Sequence, residues 1–160
     1  MSLSDRRVFL LSLSALAGCG FTPALAPGGP AEGLRGRIDV AAPSDEEGAA
    51  LTRRLEERLG QPMRGDLDLT ATIFISEQAL GFQTDASISR FNVEGRVQWA
   101  IRRKSDGTRL LDGSEQNFTS YGTTSTTVAT TFAQRDARRR LMIILADQIT
   151  EAIVARADQL

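Results

Sequence analysis

The chain reads as an α+β domain, because its apolar residues recur with period two through the middle and with helical period on either side. In order, the elements are a short strand, a helix, three antiparallel strands and a long helix. Arg37 to Val40 supplies the short strand. Ser44 then stands as an N-cap, with Glu47 three residues on completing a capping box. Asp45, Glu46 and Glu47 complement the helix dipole. Leu51, Leu55 and Leu59 give that helix one apolar stripe, and Gly60 with Pro62 stops it.

From Asp66 the period drops to two. Leu67, Leu69, Ala71, Ile73 and Ile75 face one way, while Asp68, Thr70 and Thr72 face the other. Phe91, Val93, Val97, Trp99 and Ile101 repeat the pattern, opposed by Asn92, Glu94, Arg96, Gln98 and Arg102. Both are half-buried strands, one face packed and the other turned to water or a partner. Asp106-Gly107 is a hairpin turn signal, so a third strand runs from Arg109 to Ser120, with Asp112-Gly113 expected to mark a bulge. Tyr121 to Thr131 is rich in Thr and Ser and includes a loop. The last helix carries a broad apolar face of Ala137, Leu141, Ile144, Leu145, Gln148, Ile149, Ala152 and Ile153. Leu55, Ile73, Val97, Trp99, Leu141 and Leu145 are therefore the expected core.

The residues ahead of the domain have a different character. Arg6 and Arg7 form a positive zone, followed by a ten-residue apolar stretch from Val8 to Ala17. Ten helical residues span about 15 Å, half a bilayer core, so residues 1–18 read as a signal peptide and not as a transmembrane helix. Leu16-Ala17-Gly18-Cys19 resembles the bacterial lipobox, whose cysteine takes a diacylglycerol and becomes the first mature residue. Asp5 to Leu10 also resembles a twin-arginine signal, and both export routes stay open. Gly20 stands where an Asp would resemble an inner-membrane retention signal, which favours the outer membrane. Phe21 to Arg35 holds three prolines and three glycines, so residues 19–35 read as lipidated cysteine plus tether and residues 36–160 as one domain.

Composition narrows the chemistry. Histidine is absent and Cys19 is the single cysteine, so neither an intrachain disulfide nor a mixed Cys/His metal site is expected. No Gly-rich phosphate loop has Walker or dinucleotide spacing. The carboxylate pairs Asp66/Asp68 and Glu46/Glu47 read as a solvated strand face and as dipole partners. An enzyme or a cofactor is not expected. The mature chain keeps 17 basic and 19 acidic residues, a net charge of −2 that gives no nucleic-acid footprint. One basic run stands out: Arg135, Arg138 and Arg139 share a helix face, with Arg140 on the flank. Guanidinium forks bind phosphate or carboxylate, and arginine stems also cover core edges.

Taken together, "LAGCGFTP" (Leu16–Pro23), "LTRRLEERL" (Leu51–Leu59), "RFNVEGRVQWAI" (Arg90–Ile101) and "FTSYGTTSTTVATTFAQRDARRRLMIILADQI" (Phe118–Ile149) resemble the LptE-type lipopolysaccharide-assembly lipoproteins of the alphaproteobacterial kind. The resemblance implies a four-stranded, mostly antiparallel sheet with two helices packed on one face. It implies an outer-membrane lipoprotein on the periplasmic side, which plugs the LptD β-barrel translocon and helps insert lipopolysaccharide (LPS) into the outer leaflet. Family members bind LPS through basic residues at one end of the sheet. Here the tip from Leu80 to Ser89 has no Lys or Arg, which leaves Arg90, Arg96, Arg135, Arg138 and Arg139 as substitutes, and Phe82 with Gln83 as partner contacts. An auxiliary lipoprotein of an ABC-type lipid transport system is the alternative, and a lipoprotein with an internal ligand pocket is a third. Each acyl CH₂ buried in a membrane contributes about 0.8 kcal/mol, so Cys19→Ala is expected to leave the chain unprocessed or soluble in the periplasm. Membrane fractionation checks this, and a variant still cleaved and membrane-bound would overturn the anchor.

Overall fold

The structure, a computed structural model, describes residues 24–25, 27–29, 31–63, 65–82, 88–123 and 126–160, without the side chains of residues 81, 82, 88 and 89. Four strands form one mixed sheet in the order β1 (Ile38–Ala41), β2 (Leu67–Phe82), β3 (Ile88–Arg103), β4 (Arg109–Gly122). β1 runs parallel to β2, and the other neighbours are antiparallel. The helices α1 (Glu46–Leu59) and α2 (Thr127–Val154) pack on each other and on the sheet. The α+β class and the element order read from the sequence both hold.

Strand parity shows which sheet face the helices cover. Leu67, Leu69, Val93, Val97, Trp99, Ile101, Leu111 and Tyr121 are all odd-numbered and all buried. They meet Leu51, Leu55 and Leu59 of α1 and Leu141, Leu145, Ile149 and Ile153 of α2. The even positions Thr70, Thr72, Gln98, Ser114 and Gln116 are exposed. One face is core and the other is bare.

Several elements differ from expectation in instructive ways. The N-cap of α1 is Asp45, one residue beyond Ser44, because its carboxylate accepts the Gly48 amide at 2.7 Å. The carboxylate of Glu47 is drawn instead to Arg138. Asp112-Gly113 is no bulge: both pair regularly with Ala100 and Trp99, and the register shift lies between Ile101 and Arg102. The glycine is there for space, since a Cβ at Gly113 would sit 2.7 Å from the Trp99 ring. β4 continues to Gly122 and α2 begins at Thr127, which leaves a shorter loop than the Thr-rich stretch implied. The stretch read as tether is seated at its C-terminal end, where a 3₁₀ turn over Glu32–Leu34 buries Ala31 and Leu34.

The core differs in one strand and one helix. Leu55, Val97, Trp99, Leu141 and Leu145 are buried as expected, but Ile73 is only half-buried. β1 ends beside Thr70, so among the described residues the outer side of β2 has no neighbouring strand at Ile73. On α2 the buried arc includes Met142, Ala146 and Thr150, while Ile144 and Gln148 lie on its margin. The helix packs on α1 as well as on the sheet, which turns and widens its covered arc. Thr150 donates to the Ala146 carbonyl at 2.8 Å, so its hydroxyl carries no unpaired group into the core. Leu141 is fully buried between helix and sheet, so Leu141→Ala is expected to cost about 2 to 5 kcal/mol, measured by urea unfolding.

Candidate functional site

Among the described residues, no cluster of three or more His, Cys, Asp or Glu side chains is placed to hold a metal ion. No described helix is long and apolar enough to cross a membrane. Apolar side chains fill the space between helices and sheet, where an internal ligand pocket would have to lie. The candidate surfaces are therefore on the outside.

The arginines fall into two separate groups. Arg135, Arg138 and Arg139 do share a face, lining a cleft with Glu46, Glu47 and Gln134. Arg90 and Arg96 sit at even positions of β3, on the bare face of the sheet, so the sheet divides them from the α2 group. One continuous basic patch cannot form.

Most of these guanidinium groups have internal partners. Arg138 donates to Glu77 at 2.8 Å and to Glu47 at 3.1 Å, tying α2 to β2 and α1. Glu77 faces the helices, where Gln134 at 3.0 Å and the Tyr121 hydroxyl at 3.0 Å also donate to it. Tyr121 in turn stacks on Phe91, with ring centroids 5.3 Å apart. Arg139 and Arg140 pair with Asp136. Arg96 donates to Gln116 at 3.0 Å, and the Gln116 amide bonds Glu94, so these two opposite charges are joined through one amide. Arg135 is exposed at the mouth of the cleft.

What the bare face offers beyond these pairs is apolar. Phe74 is 50 % exposed and lies across from Arg96, while Phe118 is 66 % exposed across from Glu94. At the end of the sheet where β4 turns into α2, Val128 and Phe132 are exposed one helical turn apart. Leu80, near the end of β2, is exposed as well. Sequence reasoning missed Phe74 and Phe118, although both are apolar residues at the polar parity of their strands. It missed Val128 and Phe132 because their Thr-rich surroundings read as loop. Cys19 and Gln83 lie outside the described residues, as does the side chain of Phe82, whose backbone pairs with Ile88.

This geometry defines a class: a two-layer α+β module whose sheet is covered on one face and open on the other. Residues 36–153 match the LptE family, described as lipopolysaccharide-assembly, and the chain belongs to that family. Solved structures share the fold. A candidate lipoprotein of Caulobacter crescentus matches with TM-score 0.61 at 21% identity, over 75% of this chain and 89% of that one. A minor lipoprotein of Acinetobacter baumannii matches with TM-score 0.59 at 20% identity, over 75% and 91%. The rare lipoprotein B of Shewanella oneidensis matches with TM-score 0.57 at 14% identity, over 74% and 93%. A sequence search of curated proteins finds no match.

The Glu77 cluster has a pH signature. Burial pushes the Glu77 carboxyl up, but Arg138, Gln134 and Tyr121 outweigh it and hold the group below its ordinary 4.5. A depressed carboxylate contributes stability that is complete above its unfolded pKa and is lost as pH falls through its folded one. Glu77→Gln is expected to cost about 1.5 to 3 kcal/mol at neutral pH, the usual worth of hydrogen bonds to a charged group. The gap to wild type should close as pH drops below 4.5, so urea unfolding on both sides of that value checks it.

Proposed function

We propose that this chain is an outer-membrane lipoprotein, anchored at Cys19 on the periplasmic side, that docks into an LptD-type β-barrel and assists the insertion of LPS. In this reading residues 1–18 are the signal peptide, residues 19–35 carry the lipidated cysteine and the tether, and residues 36–160 are the docking domain. The family match over residues 36–153 carries the proposal. The surface supports it. The lumen of a large barrel is polar, and the bare sheet face is rich in Thr, Ser and Gln, with Arg96 and Glu94 joined through Gln116. Phe74 and Phe118 supply the aromatic anchors that concentrate binding energy at such contacts. The domain acts by binding, with no catalytic step.

Direct LPS contact is a separate part of the proposal. Arg90 and Arg135 are exposed, and Arg96, Arg138 and Arg139 would need to exchange internal partners for phosphate. Phe82 and Gln83 stay proposed partner contacts at the β2–β3 tip. A C-terminal tag on the full chain should bring down a large β-barrel from detergent-solubilised membranes. Phe74→Ala with Phe118→Ala should lower the recovered barrel about tenfold, consistent with loss of hot-spot aromatics, without shifting the melting temperature. Recovery of an ABC transporter in place of a barrel, or normal surface LPS after depletion of the chain, would reject the assignment.

A further inference from the structure

The sheet has two outer edges, and the fold treats them differently. On β4 three of the outward backbone groups have side-chain partners. Arg156 donates to the Asp112 carbonyl at 3.2 Å and Arg140 to the Ser120 carbonyl at 3.4 Å. The Asn117 side-chain oxygen accepts the Phe118 amide at 2.8 Å. Such caps blunt an edge against pairing with another chain.

The opposite edge is β2 beyond the end of β1. The last β1 residue, Ala41, pairs with Thr70, and β2 runs on to Phe82 with no neighbouring strand on that side among the described residues. The Leu67 amide points outward, bonding the Arg37 carbonyl, and the alternation of an antiparallel ladder turns the amides of Ile73, Ile75 and Glu77 the same way. The alternation holds up to Ala79, after which the register shifts. Among the described residues no side chain caps the outward groups of Ile73, Ile75 and Glu77, in contrast to those three groups of β4. The exposed positions beside them, Thr72, Phe74, Ser76 and Gln78, carry no charge and no proline. β-branched and aromatic residues fill this stretch, so it has the composition of an unguarded pairing edge.

Building on the barrel-docking reading, we propose that the free edge of β2 from Ala71 to Ala79 is completed by an extended strand of the docking partner. The ends of the gap set the length of that strand. β1 closes one end at Thr70 and the register shift closes the other after Ala79, so the added segment is short and bonds through the outward groups of Ile73, Ile75 and Glu77. The uncharged lip selects a segment of uncharged side chains on the bare-face side, with an apolar residue to lie against Phe74. A second copy of this chain does not fit. Antiparallel pairing of β2 with its copy, centred on Ile75 or Ser76, drives the end of the copy's β2 into Ala41. Sliding the copy clear sets Glu77 against Glu77 of the copy, and like charges directly opposite destabilise a sheet.

Hydrogen exchange in the tag-purified complex tests the proposal, read at single-residue resolution against the free chain. In the free chain the Ile73, Ile75 and Glu77 amides exchange fast, and the Phe74 and Ser76 amides, bonded to β3, exchange slowly. In the complex the three outward amides should slow at least about tenfold, as expected for amides entering a ladder. Thr72→Lys with Ser76→Lys places two charges on the lip and should cut barrel recovery about tenfold at an unchanged melting temperature, while Ser114→Lys beside β4 should not. Ile75→Pro deletes one outward donor without touching the β3 ladder and should act like the lysine pair. A recovered barrel with the three amides unprotected overturns strand addition and leaves docking intact. A preparation without a barrel overturns both.

Discussion

Everything in this molecule follows from covering only one face of a sheet. Two helices can seal one side of four strands, so every strand must carry apolar residues at one parity and solvent-compatible residues at the other. The odd positions of β2, β3 and β4 supply the apolar set and the helices meet them with leucine and isoleucine rows. The bare face is then free for a partner, and no extra element has to be built to present it.

The same constraint explains where the charges go. Glu77 sits at a core-parity position, where a carboxylate without partners would be costly. It is retained because Arg138, Gln134 and Tyr121 all reach it, and Arg138 carries the link on to Glu47 in α1. A second bridge, Arg54 to Asp147 at 2.9 and 3.0 Å, joins the two helices nearer their other ends. These pairs fix how α1 and α2 lie on the sheet. They also give Arg54 and Arg138 internal partners, while Arg90 and Arg135 stay exposed.

The distribution of backbone partners points the same way. Two outward carbonyls of β4 take arginines, Arg140 from α2 and Arg156 from just beyond its end, which is possible because α2 packs against β4. Past Thr70, β2 has no such neighbour among the described residues. The half-buried Ile73 and the uncapped edge share one cause, the shortness of β1.

The sequence by itself determined the α+β class, the element order, the strand faces and the family resemblance carried by stretches such as Phe118 to Ile149, because periodicity and local motifs are properties of neighbouring residues. It also placed Arg135, Arg138 and Arg139 on one helix face, which needs only the turn of a helix. Tertiary structure alone decided that Arg138 bonds Glu77 and Glu47, that Gly113 makes room for Trp99, and that β1 is too short to cover Ile73. Each of these joins residues far apart in the chain. Local pattern sets the face a side chain points to, and only the packing of distant elements sets what it meets there.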